Sequence, residues 1–178
     1  MDECMVRVKG CFRLQILNPD GAIAGDSGIG PDGQLLNGDG TRWNMIPNDG
    51  FNKFICDVLA GSAASLVVGS IALGSGGAPA SNTTQLPSEI GSRTAFSAST
   101  SAATHAGSTQ SSHYVAYYAT FPAGWHTSVG AGYNISNIGL YNGSASAGTL
   151  FAGNTYASSG CASNQAVQCS YYINFNTA

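Results

Sequence analysis

Arg93 is the last charged residue in this chain of 178, and the 85 residues from Thr94 to Ala178 contain no Lys, Arg, Asp or Glu. Whatever this half folds into must meet its surroundings with neutral polar groups. The silence also removes most chemistry from that half, because general acid–base and phosphoryl-transfer reactions rely on carboxylates or ammonium groups. Six basic residues and a net charge of −3 leave no cluster of Lys and Arg able to neutralise phosphates, so nucleic acid is not an expected partner. Charge-driven disorder combines low hydrophobicity with high net charge, whereas 43% of this chain is hydrophobic and 10% aromatic. The length suits one domain. Residues 1–178 are read as a single β-sandwich domain with a Gly/Asp-rich loop region over about 18–47.

Hydrophobic periodicity supplies the elements. Between Met5 and Leu17, Val6, Val8, Phe12, Leu14 and Ile16 share one parity, and Arg7, Lys9, Arg13 and Gln15 take the other. That alternation predicts a half-buried antiparallel strand. Asn18-Pro19-Asp20-Gly21 then forms a turn, because Pro pre-sets φ and Gly accepts a positive φ. Phe51, Phe54, Ile55, Val58 and Leu59 fall on one helical stripe. With Asn48 or Asp49 as N-cap and Gly61 as terminator, one short helix is predicted at about 50–60. Further strands are predicted near 66–73, 91–99, 112–121, 132–142, 148–157 and 165–175. Short runs separated by Gly, Ser and Asn give an all-β chain: an antiparallel β-sandwich or jelly roll.

The five cysteines are Cys4, Cys11, Cys56, Cys161 and Cys169. The acidic N-terminus lacks the basic and apolar regions of a signal peptide, so synthesis in a reducing cytoplasm and buried thiols are expected. A bridge between Cys161 and Cys169 across a hairpin is the alternative. The apolar stretch from Phe54 to Gly74 contains Asp57 and is broken by Gly and Ser. It divides into a helix, a turn and a strand rather than a membrane span.

Three segments resemble a class of virion structural protein found in tailed bacteriophages. The first is the β-rich start ending in the Asn-Pro-Asp-Gly turn. The second runs from Ile46-Pro47-Asn48-Asp49-Gly50 into Ile71-Ala72-Leu73-Gly74-Ser75-Gly76-Gly77-Ala78-Pro79-Ala80 and Leu86-Pro87-Ser88-Glu89-Ile90-Gly91-Ser92-Arg93. The third is Ile135-Ser136-Asn137-Ile138-Gly139-Leu140-Tyr141-Asn142 with Gly148-Thr149-Leu150-Phe151-Ala152. In that third phrase Asn137-Ile138 stands where the class carries Glu-Ala. The resemblance implies a β-sandwich or jelly-roll component of a phage particle, on the capsid, the neck or the tail.

The candidate sites are few. Asn37, Asp39 and Thr41 have the 1-3-5 spacing of a calcium loop, but Arg42 and Asn48 occupy the decisive Gly and Glu positions, which leaves plain turn chemistry. His105, His113 and His126 have no acidic residue close in sequence, and no G-x-S-x-G turn occurs. No enzymatic activity, metal or cofactor is expected. Tyr114, Tyr118, Trp125 and Tyr141 are the candidate contact residues, suited either to a subunit interface or to sugar stacking. On a strand Tyr114 and Tyr118 share a face and Tyr117 takes the other. The expected function is that of a non-enzymatic decoration or cement protein on a bacteriophage head. It would bind the major capsid protein or other virion subunits and form a homo-oligomer such as a trimer, with no nucleic acid and no membrane as partners. A neck or tail-fibre component and a carbohydrate-binding host-attachment module are the alternatives. Contacts are expected to concentrate beyond residue 94.

Overall fold

The computed structural model describes residues 6–27, 46–50, 56, 68–95, 98–101, 113–126, 132–142 and 148–177. Nine strands run through them: β1 (Val6–Leu17), β2 (Ile23–Asp26), β3 (Val68–Gly74), β4 (Glu89–Ala95), β5 (Ala98–Ser101), β6 (His113–Phe121), β7 (Tyr133–Asn142), β8 (Leu150–Cys161) and β9 (Ala166–Thr177). They form two sheets, a five-stranded one in the order β2-β1-β9-β6-β5 and a four-stranded one in the order β4-β3-β7-β8. Every pairing is antiparallel. The chain is thus an all-β sandwich. Its described strands are dealt to the sheets in consecutive pairs, and β9 closes between β1 and β6. This nine-strand order differs from the eight-strand double Greek key that defines a jelly roll.

The parity of β1 decides which side faces inward. Phe12, Leu14 and Ile16 are fully buried, and Val8 packs against the same cluster. Arg13 and Gln15 point the other way and meet the Asp26 carboxylate. From β6, Ala119 and Phe121 enter the core and Tyr117 packs against it. The four-stranded sheet answers with Ile71, Leu73, Ile138, Leu140, Phe151 and Tyr156. Phe12 lies between the layers, with its ring centroid 6.0 Å from that of Tyr171 in its own sheet and 5.8 Å from that of Tyr156 in the facing one. The Tyr156 and Tyr171 hydroxyls are buried without a hydrogen-bond partner among the described residues. A buried donor left unpaired costs about 1–3 kcal/mol. Tyr171→Phe is therefore expected to leave stability unchanged or to raise it by up to about that amount, as read from the urea midpoint. A clear loss would show that the hydroxyl is bonded.

Most predicted strands lie within a few residues of observed ones. The Asn-Pro-Asp-Gly turn is formed: Gly21 N–H donates to the Asn18 carbonyl at 2.9 Å, and Gly21 has φ +84°. It leads into β2, inside the region read as loop. The strand predicted at 91–99 is two strands on different sheets, β4 and β5. No Gly or Pro marks the crossing in the sequence. Of the helix predicted at 50–60, residues 51–55 and 57–60 lie outside the described residues, and 48–50 form a helical turn. The calcium-like triplet and His105 also lie outside them. No helix among the described residues is long and apolar enough to cross a membrane, and β3 takes the end of the apolar stretch.

The outward face of the four-stranded sheet is covered by the chain itself. Residues 75–88 form a strap across it, creating a second small core of Ala72, Leu86, Tyr141 and Leu150. Ser75 N–H donates to the Ser88 carbonyl at 3.0 Å, Leu150 N–H to Thr84 at 2.9 Å, and Asn48 N–H to Ser81 at 2.8 Å. Gly153 makes room for the strap, because a Cβ there would stand 3.0 Å from Pro79 Cγ and 3.1 Å from the Ile138 carbonyl oxygen. Gly74 does the same, since a Cβ there would overlap Asn137 Oδ1 and approach the carbonyl oxygens of Pro87 and Ser88 at 2.9 Å. The Gly-rich phrases thus lie where backbone must approach backbone.

Candidate assembly face

The other candidate surface is the outward side of the five-stranded sheet, on which Thr120 and Gln168 are exposed while Cys11 and Ala116 are buried. Strand register places Cys11, Arg13 and Gln15 of β1 beside Tyr172, Ser170 and Gln168 of β9. The same β9 residues stand beside Ala116, Tyr118 and Thr120 of β6. Thr120 and Gln168 are exposed, while Tyr118 and Tyr172 are half-buried. The two tyrosine rings meet edge to face at 6.2 Å between centroids, a geometry favoured by the ring quadrupole. Burial first, and then a hydrogen bond with Tyr118, push the Tyr172 hydroxyl up to about 12, so it remains neutral at physiological pH.

The charged side chains described on this face, Arg13 and Asp26, neutralise each other at its β1–β2 margin. Arg13 donates to Asp26 through Nη2 at 2.7 Å and through Nε at 3.2 Å, and Gln15 Nε2 donates to the same carboxylate at 3.0 Å. Both ends of the sheet are four-residue strands. Short edges blunt the template that an unpaired strand offers to other chains, without the Lys or Pro that the sequence lacks there.

The four candidate contact residues do not form one site. Tyr118 lies on the outward face. Tyr114 occupies the register position opposite Asn174. Tyr117 faces the core, as the alternation requires. Trp125 sits in the turn after β6, half-buried, with its ring 4.8 Å from Phe121 and 5.0 Å from His126. Gly91 lies so close that a Cβ would stand 3.1 Å from the indole. Trp125 is therefore a packed wedge rather than an open stacking platform.

Tyr141 is 0% exposed and belongs to the strap's anchorage. Its hydroxyl accepts a hydrogen bond from Leu86 N–H. The Arg93 guanidinium lies 3.5 Å above its ring centroid. Burial pushes the Tyr141 hydroxyl up to about 12 against the lowering effect of the Leu86 bond. Arg93 also donates to Glu89 at 2.8 and 3.0 Å and to Gln85 Oε1 at 2.8 Å. The Arg93 side chain is only 2% exposed. The last charge in the chain is a buried clasp.

Cys161 and Cys169 are free thiols. No hairpin ladder joins them, because β8 pairs with β7 whereas β9 pairs with β1 and β6. Burial raises both thiol pKa values. His126 is fully buried against Trp125 and Tyr133, with neither ring nitrogen hydrogen-bonded. No group of three His, Cys, Asp or Glu among the described residues could hold a metal.

Sequence reasoning missed Tyr172 and the Arg93 clasp. The first was available, because in Tyr171-Tyr172 adjacent strand positions must face opposite sides. The second was not, because nothing local distinguishes a buried Glu–Arg pair from a solvated one. No protein-family model, no curated protein and no solved structure matches this chain.

Proposed function

We propose that this chain is a non-enzymatic structural subunit of a bacteriophage particle. It acts as a decoration or cement protein that seats the outward face of its five-stranded sheet on the major capsid protein or on neighbouring virion subunits. The observation that carries the reading is the neutrality of that face along β6 and β9. Tyr118, Tyr172, Thr120, Ser170 and Gln168 offer area and hydrogen-bonding groups, and the ion pair sits at the margin. Burying such a surface avoids the desolvation of unpaired ions, the costly part of closing a polar interface. Self-association, as in a trimer, adds contacts on several shell subunits, and these reinforce one another through multivalency. The capsid identity rests on the sequence resemblance; the outward face supports an assembly role.

The test is reconstitution. Purified protein added to undecorated heads is expected to cosediment with them, in many copies spread over the shell. Thr120 and Gln168 are exposed register partners. The double substitution Thr120→Lys/Gln168→Lys is expected to weaken binding by a hundredfold or more, about 3 kcal/mol, because it buries two like charges. Unchanged binding would remove this face from the contact. Few copies at a single vertex would turn the reading to the neck or tail fibre.

A further inference from the structure

At one end of the sandwich, where β7 begins and β8 turns into β9, an open cleft of about 430 Å³ is lined by Gly132, Tyr133, Asn134, Gly160 and Gln165, among others. That volume lies within the range of small-ligand sites. Among the described residues, the lining carries no Lys, Arg, Asp, Glu or His. Its one thiol, Cys161, is buried, which raises its pKa. A charged ligand would find no counter-ion there, whereas a neutral polar one would find amides and an aromatic ring.

The walls are already set. Gln165 accepts from Ala162 N–H at 2.8 Å and donates through Nε2 to Asn18 Oδ1 at 2.7 Å. These bonds fix the amide and leave one N–H and one oxygen lone pair uncommitted. Tyr133 is held edge to face by buried His126, 5.1 Å between ring centroids. Asn134 is exposed and makes no hydrogen bond among the described residues. Gly160 stands opposite Asn134 in the ladder, and a Cβ there would meet only Asn134 Oδ1, at 3.7 Å. Backbone is therefore open to approach. An aromatic side chain, two amides and bare glycine backbone meet the two demands of a sugar ring: apolar C–H faces and a rim of hydroxyls.

We propose that this cleft binds a neutral saccharide of one or two rings. The saccharide site does not depend on the assembly reading: it is a concave cleft rather than a sheet face. It is tested on the full-length, isotope-labelled protein by following backbone amide shifts during titration with glucose, galactose, N-acetylglucosamine and lactose, and with glucuronate as the charged counter-probe. At least one neutral sugar is expected to shift the Gly132, Gly160 and Ala162 amides with a Kd of about 1 mM. Asn134→Ala, a surface change, is expected to weaken binding about tenfold. Gly160→Phe fills the cleft from a position with room for a side chain, and is expected to abolish the shifts while the rest of the spectrum keeps its dispersion. The proposal is overturned if no neutral sugar shifts these amides, if Gly160→Phe leaves the shifts intact, or if glucuronate binds as well as the neutral sugars.

Discussion

Glu89→Ala is expected to destabilise the fold by about 3 kcal/mol, although Glu89 lies on an edge strand and its side chain is 22% exposed. The loss comes from Arg93. Its side chain is 2% exposed and is held by Glu89 at 2.8 Å. Removing the carboxylate takes away the buried cation's Glu89 counter-charge, a change that costs about 3–5 kcal/mol when the site is fully dry. Partial exposure of Glu89 lets water in and moves the expected loss to the low end. Gln85 Oε1 and the Tyr141 ring still contact the guanidinium, which also limits the damage. Arg93→Lys should cost less, about 1–2 kcal/mol, because the charge survives while the planar stacking and the forked hydrogen bonds are lost. A double-mutant cycle with Glu89→Ala and Arg93→Met, read by chemical denaturation, should show strong coupling, with the pair of changes milder than the sum. Additive losses would mean that the two side chains act independently and that the clasp is incidental.

Asn137→Asp is expected to have an effect of similar size by a different route. Asn137 is 0% exposed, and its Nδ2 donates to the carbonyls of Gly77 at 3.1 Å and Pro87 at 2.9 Å. Those two bonds tie both arms of the strap to β7. An ionised carboxyl has no proton to give, so it would face two carbonyl oxygens in the interior. The loss should exceed about 3 kcal/mol at neutral pH. The sign of the pH dependence follows. Such a site disfavours the charged form, so the introduced carboxyl has a higher pKa in the folded chain than its unfolded value near about 4. The variant's deficit is therefore smallest below about pH 4 and grows as pH rises through the folded pKa. Asn137→Leu removes the donor without adding charge and should lack this dependence. A flat pH profile for the Asp variant would count against the two carbonyl contacts. This position is also where the chain departs from the phage-class phrase, which carries Glu. Here the amide serves as a donor, a role an ionised carboxylate cannot fill.

How much of this was legible depended on whether the information is local. The alternation in β1 predicted the buried Phe12, Leu14 and Ile16, because a strand with one face in the core repeats every second position. The turn at Asn18–Gly21 was legible for the same reason: Pro and Gly have conformational preferences that act without neighbours. The split of the predicted 91–99 strand into β4 and β5 was not, since it depends on which sheet each half joins. Tyr141 illustrates the difficulty most clearly. From sequence it looked like Tyr118, an aromatic on a strand with polar neighbours. What separates them is the strap, whose cover over Tyr141 is built from contacts some 55 residues apart. The glycines of the strap and of β8 were visible as a phrase, but their steric purpose required the facing backbone.

The strap also bears on how far any stacking of these molecules can propagate. A sandwich with two open faces could be joined top to bottom without limit, each copy offering the next what it received. Here Leu86, Pro79 and Pro87 already occupy much of the second face. If the proposed assembly holds, contact through sheet faces ends after one layer, and the molecule lines a surface as a tile with a finished back rather than growing into a fibre.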